Sequence, residues 1–239
     1  NHHEDHLRHW LKSGMAVCQI HPFSARSVES VVEDQLSVTH AMILADAFAV
    51  KTVLDSDVRI SSVGIAGWSL GGTVATYSAW SPIIEVLGTP FKVHLSFYPA
   101  THLRPDRKEW SDAPMLILHG TGDDWTPISL VEGLLPDLPN ATLHAYHNAH
   151  HAFDSTEEKK WLPKAIRLGK RTVRIEENGH MSGVWKFGIR FPMNELRHRR
   201  FALRILRNRG AHVMGDPLAR EDAFQRGTAF LLSHLGLEF

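Results

Sequence analysis

Residues 63–80 read VGIAGWSLGGTVATYSAW. A short apolar run ends in a glycine, a lone hydroxyl follows at Ser69, and small residues (Gly71, Gly72, Thr73, Ala75) continue at close spacing. This pattern suits a buried strand that turns sharply into a helix packed on the same sheet, with Ser69 on a strained tight turn. Side chains at 67 and 71 are then expected to collide with neighbouring backbone. The helix starting at Leu70 would direct its first N–H groups over the turn.

Such a unit belongs in an α/β architecture, and the rest of the chain alternates accordingly. Apolar runs at 15–20, 60–66, 92–98, 115–120 and 143–146 read as five strands. Between them lie helical patterns: Leu7, Trp10 and Leu11 ahead of a stop at Gly14, a long amphipathic stretch over 33–54, and a closing helix that ends at Gly236. Strands separated by helices predict a mostly parallel sheet covered on both faces. With 239 residues, 43% of them hydrophobic, the chain is long enough for one α/β domain over 1–239.

Formal net charge is zero, so no global field would hold the chain on nucleic acid or an anionic membrane, and neither is expected as a partner. The balance is uneven along the chain. Residues 157–209 carry fifteen Lys or Arg against five Glu, which reads as a solvated basic face docked on an acidic one, or as a lid that attracts anions. No apolar run approaches the roughly 18 residues needed to cross a bilayer, and NHHEDHLRHW does not resemble a secretory signal. The single cysteine, Cys18, lies in the apolar stretch MAVCQI and is expected to be a buried reduced thiol.

A serine hydroxyl is a poor nucleophile unless a base takes its proton, a third group orients that base, and donors meet the developing oxyanion. The acid and then the base should follow the serine along the chain. MLILHGTGDDWTP ends a predicted strand with Asp123 and Asp124, and YHNAHHAFD follows the next with His147, His150 and His151. Parallel strands present their C-terminal ends at one sheet edge, so all these candidates converge near Ser69. The bland reading of the aspartates is an Asx turn before Pro127. Histidine is common, at 17 residues, so position has to decide among the candidates. His2, His6 and His9 would share a helix face, but HHEDH lacks the H-E-x-x-H zinc spacing and reads as frayed terminal histidines. GWSLGG lacks the lysine of a phosphate-binding loop. No metal and no cofactor is called for.

These motifs resemble the dienelactone hydrolase family of α/β-hydrolases. GMAVCQIHPFSARSVES is similar to the family's fourth strand and following loop, DVRISSVGIAGWSLGG to its nucleophile region, HGTGDDWTP to its acid loop and YHNAHHAFD to its histidine loop. The resemblance implies Ser69 as nucleophile, Asp123 as acid and His151 as base, with the N–H of Leu70 in the oxyanion hole. It also implies a small-molecule ester or lactone as substrate. Arg26 stands where family members reach a substrate carboxylate, and Trp68 precedes the serine as in cutinases, although packing is an equal use for an aromatic there.

The chain departs from the family in three ways. Its nucleophile is serine where the name-giving members use cysteine, which implies serine esterase chemistry. The stretch 155–213 is longer than the usual link between histidine loop and last helix, as expected of a cap-like insertion or a homo-oligomer contact. The chain also opens on the helix that normally follows the oxyanion loop, so the first three strands are expected to be missing, at a cost of about 3 kcal/mol of transition-state stabilisation for the lost second donor. Two other readings remain open: a cutinase-like polyester or lipid esterase, and a catalytically silent hydrolase scaffold acting as a binding module.

Overall fold

A computed structural model describes residues 2–236. In chain order the first half contains α1 (His2–Lys12), α2 (His40–Asp55), β1 (Ile65–Trp68), α3 (Leu70–Tyr77), α4 (Ser81–Leu87), β2 (His94–Phe97), β3 (Leu103–Pro105) and β4 (Met115–Gly120). The second half contains α5 (Ile128–Leu134), β5 (Ala141–Tyr146), β6 (Lys160–Arg167), β7 (Thr172–Ile175), β8 (Met181–Val184), β9 (Arg190–Pro192), α6 (Leu196–Leu206), β10 (Asn208–Val213) and α7 (Pro217–Leu235).

Strands β1, β2, β4 and β5 form the central sheet in that spatial order, every neighbouring pair parallel. β4 shows why the sheet needs helices on both sides. Its side chains alternate: Leu116 and Leu118 face a cluster with Trp10 of α1 and Leu231 and Leu232 of α7, while Met115 and Ile117 face Tyr77 of α3 and Val131 and Leu134 of α5. All six β4 residues are buried, as expected of a parallel strand covered on both faces. On the same side as α3, Ile43, Leu44, Ala47 and Phe48 of α2 pack with Val74 and Phe91. The closing helix begins where the Asp216 carboxylate accepts the N–H groups of Leu218 and Ala219 and ends at Gly236, whose φ is +76°.

Several expectations are corrected. The stretch 15–20 is not a strand: among the described residues no ladder pairs with it, and it is held by side chains, Met15 and Val17 towards the α1–α7 cluster and Ile20 towards α2. With only one side packed, the intervening residues point outward, so Cys18 is exposed and not buried. The helix expected over 33–54 starts only at His40, capped by Thr39. Ahead of it Asp34 accepts Leu36 N–H and Ser37 donates to the Asp34 carbonyl, local bonds that compete with helix. The strand expected over 60–66 lies at Ile65–Trp68. Nor is α1 frayed: His6 is fully buried, its ring stacked on Phe224 at 3.8 Å.

The 155–213 stretch builds a lobe. β6 and β10 pair antiparallel, and β7, β8 and β9 extend from β3 into a second small sheet covered by α6, where Ala202 and Leu206 meet Leu168, Val173 and Met193. Part of its positive charge does meet acids of the body: Arg174 bonds Asp106 at 2.6 Å and Lys164 lies 3.4 Å from Glu33.

One core residue makes stability depend on pH. His94 on β2 has no exposed surface, its Nδ1 2.9 Å from the Ala75 carbonyl, and burial pushes its pKa down to about 4. An unfolded imidazole takes up a proton below about pH 6.5, whereas the folded one resists until about 4. Stability contributed by the buried neutral ring is therefore intact above 6.5 and lost progressively as pH falls towards 4, by on the order of 3 kcal/mol. Urea unfolding across this window is expected to show that slope, and His94→Gln to show a shallower one.

Candidate active site

The turn between β1 and α3 holds Ser69 at φ +52° and ψ −111°, a conformation that costs a non-glycine residue about 1–3 kcal/mol. It is held there from both sides: Ser69 N–H donates to the Phe97 carbonyl at 2.9 Å, and Thr73 N–H to the Ser69 carbonyl at 2.8 Å. A Cβ on Gly67 would lie 2.2 Å from the Gly71 carbonyl oxygen, and one on Gly72 2.5 Å from that of Phe97. The expected collision at 71 is not found, since nothing lies within 4 Å of a Cβ there. The steric demand therefore rests on Gly67 and Gly72, with the Gly71 backbone acting as the obstacle. Gly67→Ala is expected to lose at least about 3 kcal/mol of stability, because the clash is with backbone, and Gly71→Ala to stay near the parent or gain. Denaturant midpoints of the two variants check this.

Ser69 Oγ lies 2.9 Å from His151 Nε2, and His151 Nδ1 lies 2.7 Å from Asp123 Oδ2. His151 and Asp123 are buried, at 3% and 5% exposure, while Ser69 is half-buried. The acid and base candidates thus separate by position. Asp123 Oδ1 accepts the N–H groups of Trp125 and Thr126 at 2.8 Å, so it makes the Asx turn and reaches the histidine with its other oxygen. Burial opposes its charge, but the adjacent His151 ring, its hydrogen bond and the Thr126 N–H hold the carboxyl below the usual carboxylate range. Asp124 turns the other way, to the N–H and Nδ1 of His212 at 2.9 Å. His147 is exposed, and His150 faces Lys159 at 3.1 Å. Leu70 opens α3, where a backbone N–H has no carbonyl one turn earlier to bond.

The two weaker substrate candidates are engaged elsewhere. Arg26 spends both arms of its guanidinium on Asp46 of α2, at 2.7 and 2.9 Å. Trp68 stacks between Trp10 and Phe97 and donates its indole N–H to Asp154 at 2.9 Å.

Three residues not singled out from the sequence surround the histidine, and a fourth lies behind them. Thr126 donates its hydroxyl to Asp123 Oδ2 at 2.8 Å and lies 3.2 Å from His151 Nδ1. The rings of Tyr98 and Trp125 sit 4.7 and 4.8 Å from the imidazole. Behind Tyr98 is Asp154, fully buried, accepting from the Tyr98 hydroxyl at 2.8 Å, His6 Nε2 at 3.0 Å and Trp68. Burial opposes that charge too, yet the hydrogen bonds from His6 and Tyr98 help hold the Asp154 carboxyl below its ordinary value. Burial and the neighbouring Asp154 raise the Tyr98 hydroxyl, which stays protonated and donating. Thr126 and Asp154 do lie inside or beside the motifs HGTGDDWTP and YHNAHHAFD, but nothing in their residue type marks the contacts.

A family model for the dienelactone hydrolase family matches residues 18–173. The chain belongs to that family. Its parallel sheet, with helices on both faces, agrees with membership. Among solved structures, this dienelactone hydrolase family member is similar to a propionate-bound esterase 2 from Thermogutta terrifontis, at 18% identity over 49% of this chain and 58% of that one, TM-score 0.41. It is also similar to Est1E from Butyrivibrio proteoclasticus, at 16% identity over 49% and 64%, TM-score 0.39. A third is an alpha-beta serine hydrolase homologue from Coxiella burnetii, at 16% identity over 48% and 53%, TM-score 0.38. The chain thus spans between 53% and 64% of the length of these structures. No curated protein matches it.

Proposed function

We propose that this family member is a serine hydrolase that cleaves carboxylic esters or lactones through an acyl-enzyme intermediate. The observation that carries the reading is the unbroken hydrogen-bond chain from Ser69 Oγ through His151 to Asp123, with the serine held at a strained turn ahead of a helix. Ser69 Oγ attacks the ester carbonyl carbon while His151 Nε2 takes the hydroxyl proton. The carbonyl oxygen becomes an oxyanion facing the Leu70 N–H and the positive end of α3. His151 then returns the proton to the alkoxide as the C–O bond breaks, leaving an acyl group on Ser69. Water, deprotonated by the same histidine, attacks the acyl carbon, and the bond to Ser69 Oγ breaks as His151 returns the proton to that oxygen and the acid leaves. Asp123 stays ionised throughout and orients the imidazolium.

Labelling by a fluorophosphonate probe, together with turnover of a small aryl ester, tests the proposal. An activated serine is expected to be labelled at Ser69. A protein that folds and yet is neither labelled nor turns over any aryl ester is the silent scaffold instead.

A further inference from the structure

The zero net charge of the chain conceals a segregated one, and the positive share coincides with exposed apolar surface. The turn joining β8 to β9 carries Phe187, 98% exposed, and Ile189, 55% exposed. Its base is Trp185, whose N–H bonds the Ile189 carbonyl. The Trp185 ring contacts Phe191 at 5.7 Å, and Phe191 contacts Phe201 of α6, 58% exposed, at 6.2 Å. Two exposed apolar side chains thus sit on the turn, and from its base a chain of partly exposed and exposed rings runs through Trp185 and Phe191 to α6. Isolated exposed apolar residues require no explanation, but a group of them marks a contact surface.

Beside this group, the outward face of α6 presents arginines. Arg197, Arg200 and Arg204 follow at three- and four-residue spacing, opposite the buried Ala202 and Leu206. Arg197 pairs with Glu195 at 2.7 Å. Arg200 and Arg204 make no ion pair or hydrogen bond among the described residues. They line a groove with Glu33 and Asp34, yet neither acid lies within ion-pairing distance of them, and Glu33 lies nearest Lys164 at 3.4 Å.

We infer that this face of the lobe docks on an anionic lipid surface. Its charge complements lipid phosphates, and the apolar group is what an acyl–headgroup boundary covers and a polyanion in water does not. Ile189 in particular has no ring to stack on a base. The lobe is bonded to the loops around Ser69: Met214 N–H donates to the His151 carbonyl, and His212 bonds Asp124. Docking there seats the lobe and those loops together. The inference does not depend on ester hydrolysis, and Ser69→Ala is expected to dock as the parent does.

Co-sedimentation with vesicles tests it, comparing phosphatidylcholine alone with phosphatidylcholine mixed with phosphatidylglycerol. The protein is expected to pellet with the mixed vesicles only. Release is expected when salt rises from about 0.1 M to about 1 M, where screening shortens from about 10 Å to about 3 Å. A basic residue near an anionic surface contributes about fivefold in partitioning, so Arg200→Gln with Arg204→Gln is expected to weaken binding about thirtyfold. Phe187→Ser with Ile189→Ser is expected to weaken it at least tenfold. Circular dichroism and unfolding midpoints keep loss of fold apart from loss of docking. Equal recovery on neutral vesicles, no recovery on either kind, unchanged binding by both folded double variants, or tighter retention on duplex DNA or polyglutamate than on mixed vesicles would overturn the inference.

Discussion

Replacing Ser69 with alanine is expected to abolish ester turnover, lowering kcat by on the order of 10⁶, and to remove fluorophosphonate labelling while leaving the fold intact. The size follows from the geometry. His151 and Asp123 serve one proton, that of the Ser69 hydroxyl 2.9 Å from Nε2, and without an acceptor for the acyl group they have nothing to activate. Residual catalysis then comes only from binding and the oxyanion donors. The backbone is not expected to collapse, because the bonds that hold the turn run through main-chain atoms of residue 69. Alanine at φ +52° carries the same strain as serine. Turnover of a small aryl ester by the folded variant at the parental rate would sink the assignment.

Asp123→Asn is expected to lower kcat/KM by about 10⁴ with little effect on folding. Two backbone N–H groups bind Oδ1, so the asparagine carbonyl oxygen takes that side and its NH₂ turns towards His151. An NH₂ cannot accept from Nδ1–H. The imidazole is pushed to the tautomer with its proton on Nε2, which faces Ser69 and cannot take a proton from it. Asp124→Asn provides the contrast: its carboxylate serves His212 in the lobe, and the expected loss is small. A greater loss in Asp124→Asn than in Asp123→Asn would reverse the assignment of the acid.

Much of the site was legible because its parts are local motifs with distinctive chemistry. Gly67, Ser69 and Gly71 mark the turn in the sequence, although the packing places the second steric demand on Gly72 and not on Gly71, and the strand ends bring the acid and histidine loops to the same edge. The separation of Asp123 from Asp124 and of His151 from His150 needed either family resemblance or coordinates, since adjacent residues of one type have the same propensity and differ only in direction. The strand expected at 15–20 misled for a related reason. An apolar run specifies burial on at least one side, but a ladder also requires a neighbouring strand, and among the described residues Met15 is buried and Val17 and Ile20 are partly buried with no such partner. Cys18 followed it, exposed on the side that nothing covers.

Periodicity and turn chemistry alone therefore determined the α/β alternation, the strained serine turn, the cap at Gly236 and the pair of loops that face Ser69. Residue propensity left open which aspartate and which histidine meet the serine, a choice made by family resemblance and by the packed geometry; tertiary structure alone decided that Thr126, Tyr98 and Trp125 enclose the imidazole, and that His6 on α1 reaches Asp154, 148 positions away. The reason is range. Backbone propensity and hydrophobic pattern act over a few residues, whereas a hydrogen bond of 3 Å depends on how whole elements pack, which no local stretch encodes.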